Sequence, residues 1–155
     1  MNIEIFTQRA KEAISAAQET AVRRHHQQVD SEHLHYALLT QENGLIPRLL
    51  SIIGTDGKTL ENELEKELDK IPSVSGPGVE SLYASRRFTE ILLSAADNIK
   101  RFGDSYAGVE HIYMALIEER GTPSAKLLSK HGITTEKFLA ALSDFLYNET
   151  ATTEN

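Results

Sequence analysis

The chain has 155 residues, 40% apolar and only 6% aromatic, with no Trp, no Cys and a formal net charge of −7. The missing Cys rules out disulfides, thiolate nucleophiles and Cys-ligated zinc, and the acidic balance argues against a nucleic-acid surface, which needs clustered Lys and Arg. No apolar run approaches the ~20 residues of a membrane span, and Met1-Asn2-Ile3-Glu4 is no signal peptide, so a soluble cytoplasmic domain with a core of Leu, Ile and Ala is expected.

In chain order the pattern is helical. Ala10, Ala13, Ile14, Ala17 and Ala21 recur at helical spacing. Asp30 is placed to cap a second helix carrying Leu34, Ala37 and Leu38, with Glu32 in the first turn, where the helix dipole favours a carboxylate. A third helix over 45–53 stops at Gly54, a C-terminal cap. A fourth over 57–70 turns Leu60, Leu64 and Leu68 inward, and its acids Glu61, Glu63, Glu65, Glu67 and Asp69 read as a solvated face. Pro72, Gly76, Pro77 and Gly78 then forbid helix continuation.

Beyond that break the chain repeats itself. Glu32-His33-Leu34 returns as Glu110-His111-Ile112, an offset of 78 residues, and the offset holds without a gap. Arg9 falls on Arg87, Glu12 on Glu90, Ala17 on Ala95, Ala37-Leu38 on Ala115-Leu116, and Gly54 on Gly132. The second copy shows a stripe of Phe88, Ile91, Leu92, Ala95, Ile99 and Phe102, a helix after Gly108, one over 123–131 opened by Pro123, and one over 135–147. The pattern predicts one all-α domain over 1–147: eight helices in two tandem four-helix repeats (6–68 and 84–146, linker 69–83) with pseudo-two-fold symmetry. The two first helices can share a face only where small residues oppose large ones. The polar, Thr-rich residues 148–155 read as the start of a flexible linker.

Catalytic and metal chemistry find little support. His25, His26, His33, His35, His111 and His131 lack a metal-ligand spacing, so no metal is expected, and His33 and His111, at equivalent positions, read as structural hydrogen-bonding groups. Ser31 and His33 lack the third group and oxyanion hole of a triad. Gly57-Lys58-Thr59 imitates a phosphate loop, but the motif requires Gly where Ile52 stands, so no nucleotide site is expected. Binding leaves a trace in Leu93, which lies off the apolar stripe and whose twin is Ser15. Leu82 and Tyr83 could extend the same patch.

The opening Phe6-Thr7-Gln8-Arg9-Ala10, the duplicated Glu-His-Leu/Ile blocks and the Gly-capped third helix resemble the Clp N-terminal repeat domain. This is the substrate-facing module of Clp-type AAA+ unfoldases. Ile71-Pro72-Ser73-Val74-Ser75-Gly76 and Lys137-Phe138-Leu139-Ala140-Ala141-Leu142 are closer to the ClpB disaggregase branch than to ClpC. His25-His26-Gln27-Gln28 departs from the family in replacing a Gly-containing turn. The resemblance implies a non-catalytic domain that captures unfolded or aggregated polypeptide in an apolar groove beside Thr7, Leu93, Asp104 and Glu110, and hands it to its own hexameric ATPase ring. It implies no cofactor here, ATP and Mg belonging to ATPase modules absent from this chain. The alternative it carries is a ClpC-type site for an adaptor protein or a phosphoarginine tag at Glu32 and Glu110, and a third reading is a structural docking module.

Overall fold

Thr7 and Ser85 occupy the same position in the two repeats and do the same work. Each hydroxyl accepts the N–H three residues on, Ala10 at 3.2 Å and Phe88 at 3.0 Å, and so opens the first helix of its repeat. The computed structural model describes residues 2–75 and 82–154, with side chains to Glu149; Gly76–Ser81 of the expected linker lie outside the described residues. After a 3₁₀ turn at Ile3–Ile5 come α1 (Gln8–Arg23), α2 (Ser31–Thr40), α3 (Leu45–Ile53) and α4 (Gly57–Asp69), then α5 (Arg86–Phe102), α6 (Val109–Glu118), α7 (Pro123–Lys130) and α8 (Thr135–Glu154). The eight helices stand where the periodicity predicts them. Gly54 and Gly132 end α3 and α7 at φ of 101° and 71°, a backbone region that costs a side chain strain.

The repeats interlock. The backbone N–H of Thr7 donates to the carbonyl of Ala107 (2.9 Å), and its counterpart in Ser85 donates to Val29 (2.9 Å). Each repeat thus lays the chain before its first helix along the chain before the other repeat's second helix. In one case this makes an isolated parallel bridge, Phe6 to Ala107; in the other, the two-residue parallel strands β1 (Gln28–Val29) and β2 (Tyr83–Ala84). These pairings carry no alternating pattern, because two residues are too few to show one.

Helix packing repeats the exchange. α3 packs on α8 and α4 on α7, so the fourth helix of each repeat meets the third helix of the other, and α2 meets α6 at the centre. α1 and α5 do not take up the shared face that their stripes left open: α1 lies on α2 and α5 on α6. The five small or β-branched residues of the α1 stripe let it settle closely on its own neighbour instead. Two readings of the fourth helices change. Leu146, whose helical spacing with Leu142 predicts an inward face, is 54% exposed. Glu61, Glu63, Glu65 and Glu67 of α4 are half-buried rather than solvated, though Asp69 is exposed: Glu65 accepts from the Tyr36 hydroxyl (3.0 Å) and Glu63 binds Lys130 (2.8 Å). The expected linker after Tyr147 is helical to Glu154. Neither Gly nor Pro interrupts 148–154, and extending a helix avoids the cost of nucleating one.

At the centre, His35 and Tyr113 meet, both fully buried and at equivalent repeat positions. His35 Nε2 lies 2.7 Å from the Tyr113 hydroxyl and Nδ1 lies 3.0 Å from Ser124 Oγ, while the Tyr113 ring stacks on Phe138. Tyr113→Phe keeps the ring and orphans a buried nitrogen, so a loss of about 1–3 kcal/mol in unfolding free energy is expected from urea denaturation. A gain is expected elsewhere. His25 holds a φ of 59° where the second copy has Gly103 at 68°. His25→Gly removes a left-handed side chain and should raise stability by about 1 kcal/mol in the same assay.

Candidate functional site

The N-terminal ends of α2 and α6 are built on one plan and finished differently. In α6 the Gly108 N–H donates to His111 Nδ1 (2.8 Å), which leaves the ring proton on Nε2 to be donated to Asp104 Oδ2 (2.6 Å). In α2 the Asp30 N–H donates to His33 Nδ1 (2.9 Å), and His33 Nε2 donates to His26 Nδ1 (2.8 Å). His26 and Asp104 are repeat equivalents, so an imidazole and a carboxylate serve as the same acceptor. Both histidines are structural, as their matched positions suggest.

Position 30/108 differs as well. Asp30 Oδ1 accepts from the Ser31 N–H (2.7 Å) and the Ser85 hydroxyl (2.8 Å), and Oδ2 accepts from Arg87 (2.7 Å). Burial pushes this carboxyl up, but Arg87, Ser31 and Ser85 together hold it below its ordinary value. Gly108 offers no carboxylate, and Glu110 folds over it: a Cβ at 108 would overlap Glu110 Oε1. Glu110 Oε1 comes within 3.6 Å of His111 Nδ1.

Three of the four expected binding residues are therefore neighbours through structure. Thr7 is tied to Ala107, Asp104 to His111, and Glu110 lies over Gly108. Beside them are Phe102, whose ring lies 6.3 Å from that of His111, and Tyr106, which is 58% exposed. Tyr106 escaped the sequence reading because its loop has no periodicity to mark an outward face. Leu93 is half-exposed on α5, about two and a half turns before Phe102 and thus on the opposite side of that helix.

Glu32 sits elsewhere and differently. It is buried, accepts from the Ser31 hydroxyl (2.5 Å), and lies 4.0 Å from Arg87. Burial raises its carboxyl above the ordinary value against the pull of Ser31 and Arg87. A cleft of ≈ 430 Å³ opens here, lined by Gln27, Asp30, Glu32, Glu67, Lys70 and Arg87 among others. The surroundings of Glu32 and Glu110 thus differ. Among the described residues, no group of His, Asp and Glu could hold a metal ion, and no helix is long and apolar enough to cross a membrane.

The Clp repeat (R) N-terminal domain profile matches residues 5–131. The chain belongs to this family. Among its relatives, the chaperone protein ClpB of Nitratidesulfovibrio vulgaris is 39% identical over the whole of this chain and 18% of its own length. ClpB of Clostridium tetani is 38% identical, with the same coverage of each. The chain thus spans about a fifth of the curated relatives it matches. The Hsp104 N-terminal domain of Candida albicans superposes with a TM-score of 0.76 at 22% identity, covering 88% of this chain and 87% of that one. The ClpV N-domain of Vibrio cholerae gives 0.74 at 22% identity, covering 92% and 87%. It is a Clp N-domain similar in sequence to the N-terminal part of ClpB chaperones, and the Hsp104 and ClpV likenesses show its fold alone.

Burial holds two histidines of this Clp N-domain neutral: His35 falls to about 3, and His33, beside His26, to about 4. Between pH 6.5 and these values the unfolded chain binds protons that the fold refuses. The stability they contribute is complete above pH 6.5 and is lost as pH falls, with the raised Glu32 working in the opposite direction. Urea unfolding at pH 5 should therefore show a loss against pH 7.5, approaching about 2 kcal/mol per histidine. The Cε1 proton resonances of His33 and His35 should not move above pH 5.

Proposed function

We propose that this domain is the polypeptide-binding module of a ClpB-type chaperone, catalysing nothing itself and passing unfolded or aggregated chains to an ATPase ring. The observation that carries the reading is the gathering of Thr7, Asp104 and Glu110 around the Phe6–Ala107 bridge, next to the exposed rings of Phe102 and Tyr106. Exposed apolar rings bordered by carboxylates suit extended, apolar and basic segments. Weak, promiscuous capture serves such a module, because a segment held tightly could not be passed on. Leu93 offers a second apolar foothold on α5.

A second reading has its own observation. The cleft beside Glu32 holds three carboxylates, Asp30, Glu32 and Glu67, and two cations, Arg87 and Lys70, which suits a defined ligand carrying both charges, such as a phosphoarginine tag or an adaptor segment. The Glu110 end lacks this arrangement, so the second reading predicts one such site rather than two.

Titration of the ¹⁵N-labelled domain with an unfolded model protein separates the readings. Amide shifts at Thr7, Asp104, Tyr106 and Glu110 are expected, and Tyr106→Ser should weaken binding at least several-fold. Tyr106→Ser should move the unfolding free energy by no more than about 0.5 kcal/mol, since its side chain is exposed. Shifts confined to Glu32 and Arg87, and only with a phosphoarginine peptide, would replace the first reading with the second. No response to either ligand would leave a docking module.

A further inference from the structure

The interlocked repeats create two equivalent grooves, one between α4 and α7 and one between α8 and α3. The first is charged: Glu63 takes Lys130 at 2.8 Å and His131 at 2.5 Å beside a cavity of ≈ 620 Å³. Lys130 holds the Glu63 carboxyl below its ordinary value against burial, and His131 adds to the effect. At the positions 78 residues away, each of these three groups is replaced by an apolar residue. Glu63 becomes Ala141, Lys130 becomes Ile52 and His131 becomes Ile53. The second groove, a cavity of ≈ 400 Å³, is instead floored by Ala141 and walled by Ile52, which is 43% exposed.

Charge at its ends names the occupant. Lys137, Ala140, Ala141 and Asp144 lie at i, i+3, i+4 and i+7, one stripe of α8. Lys137 and Asp144 are exposed, and among the described residues neither forms an ion pair. They stand about 10 Å apart along the helix, with the midpoint between Ala140 and Ala141. A stripe that reads cation, small, small, anion is complementary to itself when reversed. We propose that the α3/α8 groove docks a second copy of this chain about a two-fold axis at Ala140–Ala141. Lys137 of each copy then faces Asp144 of the other, and Ile52 of each seals the side. Small residues at the axis permit close helix approach, and reversal opposes the two helix dipoles favourably. Tyr147, one turn past Asp144 and 73% exposed, extends the stripe.

The contact is small, so association should appear only at high concentration. Sedimentation equilibrium and ¹⁵N spectra of the 155-residue chain, from about 20 μM to about 2 mM, test it. A monomer–dimer equilibrium is expected, with concentration-dependent shifts at Ile52, Lys137, Ala140, Ala141 and Asp144, and weaker association at high salt. K137E or D144K should weaken the dimer at least tenfold, and K137E/D144K should restore it. Both side chains are exposed, so an unchanged urea midpoint certifies that the variants are folded. A monomer at 2 mM overturns the proposal, as do shifts elsewhere, single reversals without effect, or shifts in this groove that appear only on adding an unfolded protein.

Discussion

His35 and Tyr113 hold one position in the two repeats and touch each other, so the pseudo-two-fold axis runs through their hydrogen bond. A contact on the axis pairs a position with its own duplicate. Here the duplicates differ so that a ring nitrogen meets a hydroxyl, and Ser124 satisfies the other nitrogen. In either tautomer one hydroxyl donates and the other accepts, so nothing in the centre is orphaned. No described buried side-chain polar atom lacks a partner anywhere. Around this point each repeat lends the other its entry strand and its third helix. Neither half could bury its own apolar faces alone, which is the physical meaning of the duplication.

Departure from symmetry concentrates away from the axis. At 26/104 an imidazole is exchanged for a carboxylate, at 30/108 Asp for Gly, and at 63/141 with 130–131/52–53 an ionic cluster for an apolar groove. The backbone is the same each time, because hydrogen bonds from Asp30 and Gly108 to the paired histidines do not depend on what lies beyond the ring. The shared scaffold therefore leaves each end free to take its own electrostatics. One end becomes a charged cleft at Glu32. The other becomes an exposed aromatic edge at Tyr106 with carboxylates alongside.

How much of this could be read from the chain follows the length of each signal. Helices of eight residues or more carry several turns of periodicity, and all eight were legible, as were the αL caps at Gly54 and Gly132 and the structural pairing of His33 with His111. The parallel pairings of two residues were not, because they are made of backbone and leave no side-chain pattern. Partner choice between helices was also illegible: the Ala-rich stripe of α1 says that it is buried, not that α2 rather than α5 covers it. Polarity misled twice. Glu63 of α4 looks solvated until Lys130 and His131 come against it, and 148–154 looks like linker although nothing in it stops a helix. Around the candidate site, Thr7, Asp104 and Glu110 could be named from the motif. Tyr106 could not, since exposure of one loop residue depends on where Ala107 pairs.

Asp104 shows why structure and proposed function are hard to separate at this edge. Its carboxylate is half-exposed and available to a basic segment, yet it also accepts the Nε2 proton of the buried His111. Removing it leaves a buried donor unpaired, at a cost of about 1–3 kcal/mol whatever the domain binds. The first repeat shows how the two roles can be divided: His26 accepts the same proton with a neutral ring. A His at 104 would therefore keep the acceptor and delete the charge. Thr7 is coupled in the same way, because its hydroxyl caps α1 and its backbone N–H holds Ala107. The proposed binding edge is thus assembled from the groups that terminate helices, whose positions are already fixed by the fold, while exposed Tyr106 carries no such duty and is free to vary with the partner.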